Sequence, residues 1–360
     1  MRWELSSEQD EFRAVLRDWL SNHCGRSLRS WLDTGEPRPF EERFVADGWF
    51  AVGSPEELGG QGGDLVELAL VAEELGRSAA PSSAWLGSVL TVPFLAEAPD
   101  QAKELLADGV ITALAVDGTT PPAAPTVRDD GAGLVGTVSG VVGADRARRL
   151  VVPVLRAGRV LSVLIETDTP GVRMRARALV DRTRTVADVL FDGARGTELP
   201  GDGAVLVRDA ALRAAVLVAA DSLGAAERML DLAVTYSLQR NQFGVPIGSF
   251  QAVKHAAAEM LVQVESARSI VFLAAASVAA GHPDASLHAA AAKAQVTAGG
   301  ARTADSALTV HGAIGYTWEH DLQLFYKRAK LDQVLFGAPA VWNDRLADEL
   351  KIGEVRWTSN

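Results

Sequence analysis

The sequence predicts an α+β protein in three parts: an N-terminal α-helical domain, a small middle antiparallel β domain and a C-terminal four-helix bundle. Three observations carry this prediction. Apolar residues recur at three- and four-residue spacing in the first hundred positions, gather into short β-rich runs from about Val110, and return to helical spacing from about Val207. A chain of 360 residues is also longer than one hydrophobic core usually serves. The boundaries are placed at 1–108, 109–205 and 206–360.

In the first part, Ser6 or Ser7 caps a helix that carries Phe12, Val15, Leu16, Trp19 and Leu20 on one face. A second helix runs from about Asp64 to Leu75, with Leu65, Leu68, Val71 and Leu75 in register and Gly76 as its stop signal. The middle part reads as strands in ITALAV, LVGTVSGV, RLVVPVL, RVLSVLIE and ADVLFDG, separated by Gly, Asp, Pro and Arg. Within it, TTPPAAP (119–125) is a proline-rich loop that cannot continue a sheet. The last part holds long helices near 207–240, 249–280, 284–310 and 319–335, with a shorter one after Pro339. Four long antiparallel helices make a bundle.

The balance of charge excludes several classes of function. A formal net charge of -11 argues against a nucleic-acid partner, which needs clustered Lys and Arg. A single cysteine, Cys24, excludes an intrachain disulfide and a cysteine-rich metal site, and a reducing cytoplasm suits it. No metal ligand set stands out. The first twenty residues carry charges throughout and read as a helix rather than a signal peptide. Nor does any run of about 18 uncharged apolar residues suggest a membrane span.

Four stretches carry a family likeness. The segment GWFAVGSPEELGGQGGDLVELALVAEELGRSAAP (Gly48 to Pro81) combines an apolar turn, a Gly-rich loop and a helix. TDTPGV lies at Thr167 to Val172, RNQFGVPIGSFQ at Arg240 to Gln251, and VHGAIGYTWEHDLQLFYKR at Val310 to Arg328. In this order and on these elements, they resemble the acyl-CoA dehydrogenase family, with Arg240 to Gln251 matching its Arg-x-x-Phe-Gly and following Phe-Gln. Arg328-Ala329-Lys330 resembles the family's Arg-Asp-Ala-Lys.

The resemblance implies that a carboxylate removes the α-proton of an acyl-CoA thioester while a hydride passes from the β-carbon to FAD. It also implies that FAD lies at a subunit interface. One group of residues then serves the neighbouring chain's FAD: Arg240, Gln242, Phe243 and Gln251, with Thr309, Gly312, Ala313 and Gly315 of the Gly-rich turn. Arg240 supplies a forked, permanent positive charge for a pyrophosphate, Phe243 an apolar face, and Gly312 and Gly315 a close backbone approach. The alternative is plainer: Arg240 caps a helix C-terminus and the glycines only turn the chain.

The residues expected around the chain's own flavin are different. Where the family has a Thr-Glu-Pro-Gly-Ala-Gly-Ser-Asp loop, this chain reads AVDGTTPPAAP, and Gly140-Val141-Val142 replaces the Trp-Ile-Thr that lies against the flavin ring. Leu335-Phe336-Gly337-Ala338 aligns with Tyr-Glu-Gly-Thr, which places Phe336 on the commonest catalytic base. Ala214 occupies the alternative base position on the first bundle helix. Substitute bases are Asp209, Asp221 and the Glu319-His320 pair, although Asp209 and Glu319 also suit helix starts. Arg213, beside Ala214, faces either the site or an ion pair. His311 reads as a packing residue with one satisfied nitrogen, and Trp318 and Trp342 as core or interface aromatics.

Residues offered to a neighbour are thus retained while those for the chain's own flavin and proton transfer are gone. This resembles the base-lacking chain of bacterial α2β2 acyl-CoA dehydrogenases that act on steroid side-chain CoA thioesters. The expected partner is a second dehydrogenase-like subunit that carries the catalytic Glu. Two other readings stay open: a homotetrameric flavoenzyme with a relocated base, and a flavin-free structural or regulatory subunit.

Overall fold

The computed structural model describes residues 4–24, 32 and 37–350. The outer ends of the expected first and last domains, and the segment around Leu32, lie outside these residues. Among the described residues, the named helices of the first part are α1 (Ser7–Cys24), α2 (Arg38–Ala46), α3 (Leu65–Arg77), α4 (Ser83–Val89) and α5 (Pro99–Leu106). α1 buries Leu16 and Leu20, with Phe12 and Trp19 partly covered. Val15 departs from expectation and is 54% exposed, at the edge of an apolar stripe whose centre is covered by α3 and by Phe40, Phe44 and Trp49.

α3 begins with a capping box: Asp64 accepts from Val66 N at 2.7 Å, and Glu67 accepts from Asp64 N at 2.8 Å. Gly76 does not stop it. The helix runs on to Arg77, and Gly76 instead lets α3 lie directly on α6 (Gly203–Gln239). A Cβ at Gly76 would fall 2.1 Å from the Asp221 carbonyl oxygen, and one at Gly224 of α6 would fall 1.8 Å from that of Glu73. Two backbones meet here, so neither contact yields by a side-chain rotation. Gly224→Ala should therefore lower stability by about 1–3 kcal/mol. The urea midpoint is the measurement, and an unchanged midpoint would show that the two helices separate freely.

The middle part contains β1 (Thr112–Leu114), β2 (Val127–Asp129), β3 (Leu134–Val142), β4 (Arg149–Arg156), β5 (Arg159–Glu166), β6 (Val172–Arg177), β7 (Val186–Ala194) and β8 (Thr197–Leu199). Their order is β6-β7-β3-β2-β4-β5-β8, with β1 also on β4. The sheet is mixed rather than wholly antiparallel: β1 and β2 both pair parallel with β4. The proline-rich loop lies between β1 and β2, so the chain crosses over instead of forming a hairpin. β3 breaks register between Val138 and Val141, which leaves Gly140 unpaired with β7 at the position where the family's indole is expected.

α6, α7 (Gln251–Ala279), α8 (Ala285–His311) and α9 (Leu322–Val334) form the bundle, with α10 (Pro339–Glu349) laid on α8. Asp202 caps α6 by accepting from Ala204 N and Val205 N at 2.9 and 3.2 Å. The facing helix surfaces are rich in Ala, which allows close approach. Among the described residues α7 alone is long and apolar enough to cross a membrane. It buries Met260, Val264, Val271 and Phe272 against the other helices of the protein.

Candidate functional site

The expected neighbour-facing residues gather at one end of the bundle. α6 ends at Gln239, and the chain reverses through β9 (Asn241–Gln242) and β10 (Val245–Pro246) before entering α7. The two residues between the strands, Phe243 and Gly244, have φ of 54° and 80°. Positive φ at both central positions is the geometry of a tight type I′ hairpin. Glycine adopts it freely, whereas an aromatic residue is strained there. Phe243 projects from this turn at 93% exposure, edge-on to Phe250 with 6.1 Å between ring centroids.

Arg240 lies at the base of this hairpin. Its backbone is tied on both sides, N–H to the Tyr236 carbonyl and C=O to Ile247 N, at 2.9 and 2.8 Å. The side chain is exposed and makes no hydrogen bond or ion pair among the described residues. Arg240 is thus the C-cap residue of α6 through its backbone, while its side chain is left free of the helix end. A groove of about 420 Å³ opens beside it, lined by Gln242, Phe243, Ile247, Phe250, Thr309 and Val310 among others. Gln251 is exposed at the start of α7, and Gly312 and Ala313 are exposed just after α8. A Cβ on Gly312 would meet nothing within 4 Å, but its φ of 65° and ψ of -145° favour glycine.

Gly315 is corrected by its surroundings. It is buried, and a Cβ there would lie 2.8 Å from Leu308 Cδ1 and 3.0 Å from Leu322 Cδ2. Packing of the turn, not approach of a ligand, requires a glycine at this place. Beneath the turn His311 is buried, with Nδ1 donating to the Ala307 carbonyl at 2.8 Å and the ring stacked on Tyr236. Burial pushes its pKa below the usual imidazole range, which keeps the ring neutral. Trp342 is in the core, while Trp318 is 59% exposed beneath the Lys327 ammonium, 4.4 Å from its ring.

The positions expected to hold a base are closed. Ala214 is fully buried within α6. Phe336 is 1% exposed in the turn between α9 and α10. Its N–H donates to the Gly118 carbonyl at 2.8 Å, and its own carbonyl accepts from Trp342 Nε1 at 3.0 Å. The buried Lys293 ammonium donates to the carbonyls of Asp332 and Gly337 at 3.0 and 2.9 Å. A Cβ on Gly337 would come within 2.7 Å of Pro121. The proline-rich loop therefore seats directly on the Phe336 turn.

Across the sheet, Gly140 presents no side chain, and Val141 and Val142 are buried. Gly140 N–H donates to Asp188 at 3.0 Å, and Arg175 and Arg177 pair with the same carboxylate. The Gly140 N–H, followed by the two arginines, holds Asp188 below the usual carboxylate range. Salt-bridged polar groups thus lie beside Gly140, where an indole is expected, and Val142, where a hydroxyl is expected, is packed in the core.

The proposed substitute bases are not brought together. Asp209 lies in the second turn of α6, not at its start, and pairs with Arg213 at 2.6 Å. Glu319 is exposed in the turn before α9, which begins only at Leu322. Asp221 is 3% exposed and bound by both Nε and Nη2 of Arg328, at 2.7 and 2.6 Å. It is a structural counter-ion, withdrawn from any cleft. In the sequence Arg328 falls within a family-like segment and Asp221 reads as a candidate base, but neither their pairing nor Lys293 is legible there; the local signal of burial is a permanent charge three and four residues from the apolar Phe325 and Leu324 on a helix.

Comparison with known proteins bears directly on these features. Residues 6–109 match the family model described as acyl-CoA dehydrogenase, N-terminal domain, and residues 201–351 the one described as acyl-CoA dehydrogenase, C-terminal domain. Acyl-CoA dehydrogenase IpdE2 of Mycolicibacterium smegmatis is 34% identical over 352 residues, covering 96% of this chain and all of that one. The crystal structure of the ChsE4-ChsE5 complex from Mycobacterium tuberculosis matches with a TM-score of 0.87 at 25% identity, over 98% of this chain and 99% of that one. A putative acyl-CoA dehydrogenase from Mycobacterium smegmatis shares the fold, with a TM-score of 0.88 at 21% identity over 96% of this chain and 98% of that one.

Proposed function

The chain belongs to the acyl-CoA dehydrogenase family, and from that premise we propose that it is the base-lacking subunit of a heteromeric, FAD-dependent acyl-CoA dehydrogenase. The observation that carries this reading is that Phe336, which the sequence aligns with the family's usual carboxylate, is an apolar side chain, 1% exposed and anchored to Gly118. The enzyme as a whole oxidises an acyl-CoA thioester between its α and β carbons. A partner chain supplies the glutamate and the pocket for the flavin ring.

Two sets of residues give opposite answers on whether they fit FAD. Arg240, Gln242, Phe243 and Thr309 suit part of a neighbour's FAD, since an exposed guanidinium and an exposed ring flank an open groove. Gly140, Phe336 and the seated proline-rich loop do not suit a flavin ring of the chain's own. When bound at the interface, FAD supplies the hydride acceptor. Arg240 then neutralises phosphate charge, and the rigid hairpin holds Phe243 in place so that little conformational freedom is lost on assembly.

The ChsE4-ChsE5 structure is a complex of two differently named chains, which favours a two-chain arrangement here. A steroid-derived CoA thioester remains the proposed substrate, and a reducing cytoplasm the proposed location. Arg240→Ala, made in the assembled complex, should weaken FAD retention by about 1.5–3 kcal/mol, the worth of one charge-assisted contact. Flavin released on dilution measures this, and unchanged retention would remove Arg240 from the site.

A further inference from the structure

The inner end of α9 carries ionisable groups that the proposed function does not use. Asp332 is fully buried there. Charged groups face this cluster from every element around it: Asp221 from α6, Lys293 from α8, Arg328 from α9 itself, and Asp181 and Arg184 from the loop before β7.

The cations are shared unequally. Asp221 receives two donors from Arg328, and Arg184 Nη2 at 2.8 Å. Among the described residues Asp332 receives only the same Arg184 Nη2, at 3.3 Å, and its Oδ2 is buried without a donor. Lys293 passes the carboxyl group by and donates to two backbone carbonyls. Asp221 Oδ2 and Asp332 Oδ1 nevertheless lie against the same Arg184 Nη2, at 2.8 and 3.3 Å, which brings the two carboxyl groups together. Ionised carboxylates only accept, so two in contact repel unless one retains a proton.

We infer that Asp332 is a neutral acid that donates its proton to ionised Asp221, making the docking of the α9 end and the Phe336 turn proton-linked. The unequal geometry sets which group keeps the proton. Burial, and then the charge on Asp221, push Asp332 well above the usual carboxylate range. Burial also pushes Asp221 upward, but Arg184 and Arg328 outweigh it and hold it at about 2. The folded pKa of Asp332 exceeds its unfolded value. Its contribution to stability is therefore full below the unfolded pKa and is lost as pH rises through the folded one. Asp221 has the opposite slope, losing its contribution as pH falls toward about 2.

Infrared difference spectra of the full chain, with any partner that copurifies, test the pair. Glu73 is also buried and raised, so the difference between variants is the readout. At neutral pH the parent should show a protonated-carboxyl band that Asp332→Asn lacks. Because an amide still donates to Asp221, Asp332→Asn should keep the parental urea midpoint at neutral pH and surpass it as pH rises. A band undiminished in Asp332→Asn, or an Asp332→Asn chain that fails to fold, would overturn the inference.

Discussion

Replacing Arg328 with Met is expected to destabilise the chain by about 3–5 kcal/mol, the usual effect of removing one partner from a buried ion pair. Arg328 is wholly buried at the junction of all three parts of the fold. Besides Asp221, its guanidinium donates to the Ala80 carbonyl, Thr183 Oγ1 and Ser82 Oγ at 2.7, 3.0 and 2.8 Å. Met fills much of the volume but leaves these acceptors unmet, and of its two cations Asp221 keeps Arg184 alone. Arg328→Lys should fall between the two, since an ammonium restores charge without the planar fork. Urea unfolding followed by circular dichroism measures the series. A Met variant as stable as the parent would mean that the ionic centre contributes nothing net.

Phe336→Glu should cost about 3–5 kcal/mol through loss of the buried ring alone, and it should not make the chain active by itself. Returning a carboxylate to this position does not reopen the space around it. The turn remains pinned by Gly118, Trp342 and Lys293, with Pro121 seated on Gly337. A glutamate there would be buried without a cation free to pair with it, which favours its neutral form over a base. Thermal unfolding and acyl-CoA-dependent dye reduction by the lone variant measure both effects. Dye reduction by that variant would show that the missing carboxylate is the only defect.

The three-part architecture was legible in the sequence because periodicity survives in long helices, and α6, α7 and α8 lie within a few residues of their expected limits. Strand pairing was not. That β1 and β2 run parallel to β4 depends on how the proline-rich loop crosses the sheet, which no local pattern encodes. Gly76 looked like a stop signal because its role depends on a second glycine, Gly224, distant in sequence. Gly315 was mistaken for a ligand contact for the same reason: Leu308 and Leu322 close over it only in the folded chain. At the site, alignment pointed to Phe336 and Ala214 without showing that both are buried. The hydrogen bonds that seal Phe336, and the ionic centre behind it, join residues from different parts of the chain and become visible only in three dimensions.

Flavin absorbance of the purified chain, alone and co-expressed with a dehydrogenase-like partner, tests the central claim most directly. The chain alone should be colourless and inactive toward acyl-CoA thioesters, while the complex should be yellow and reduce dye when a thioester is added. A yellow lone chain would point to a homo-oligomeric flavoenzyme. A partner fully active without this chain would point to a structural or regulatory subunit, and either result would contradict the account.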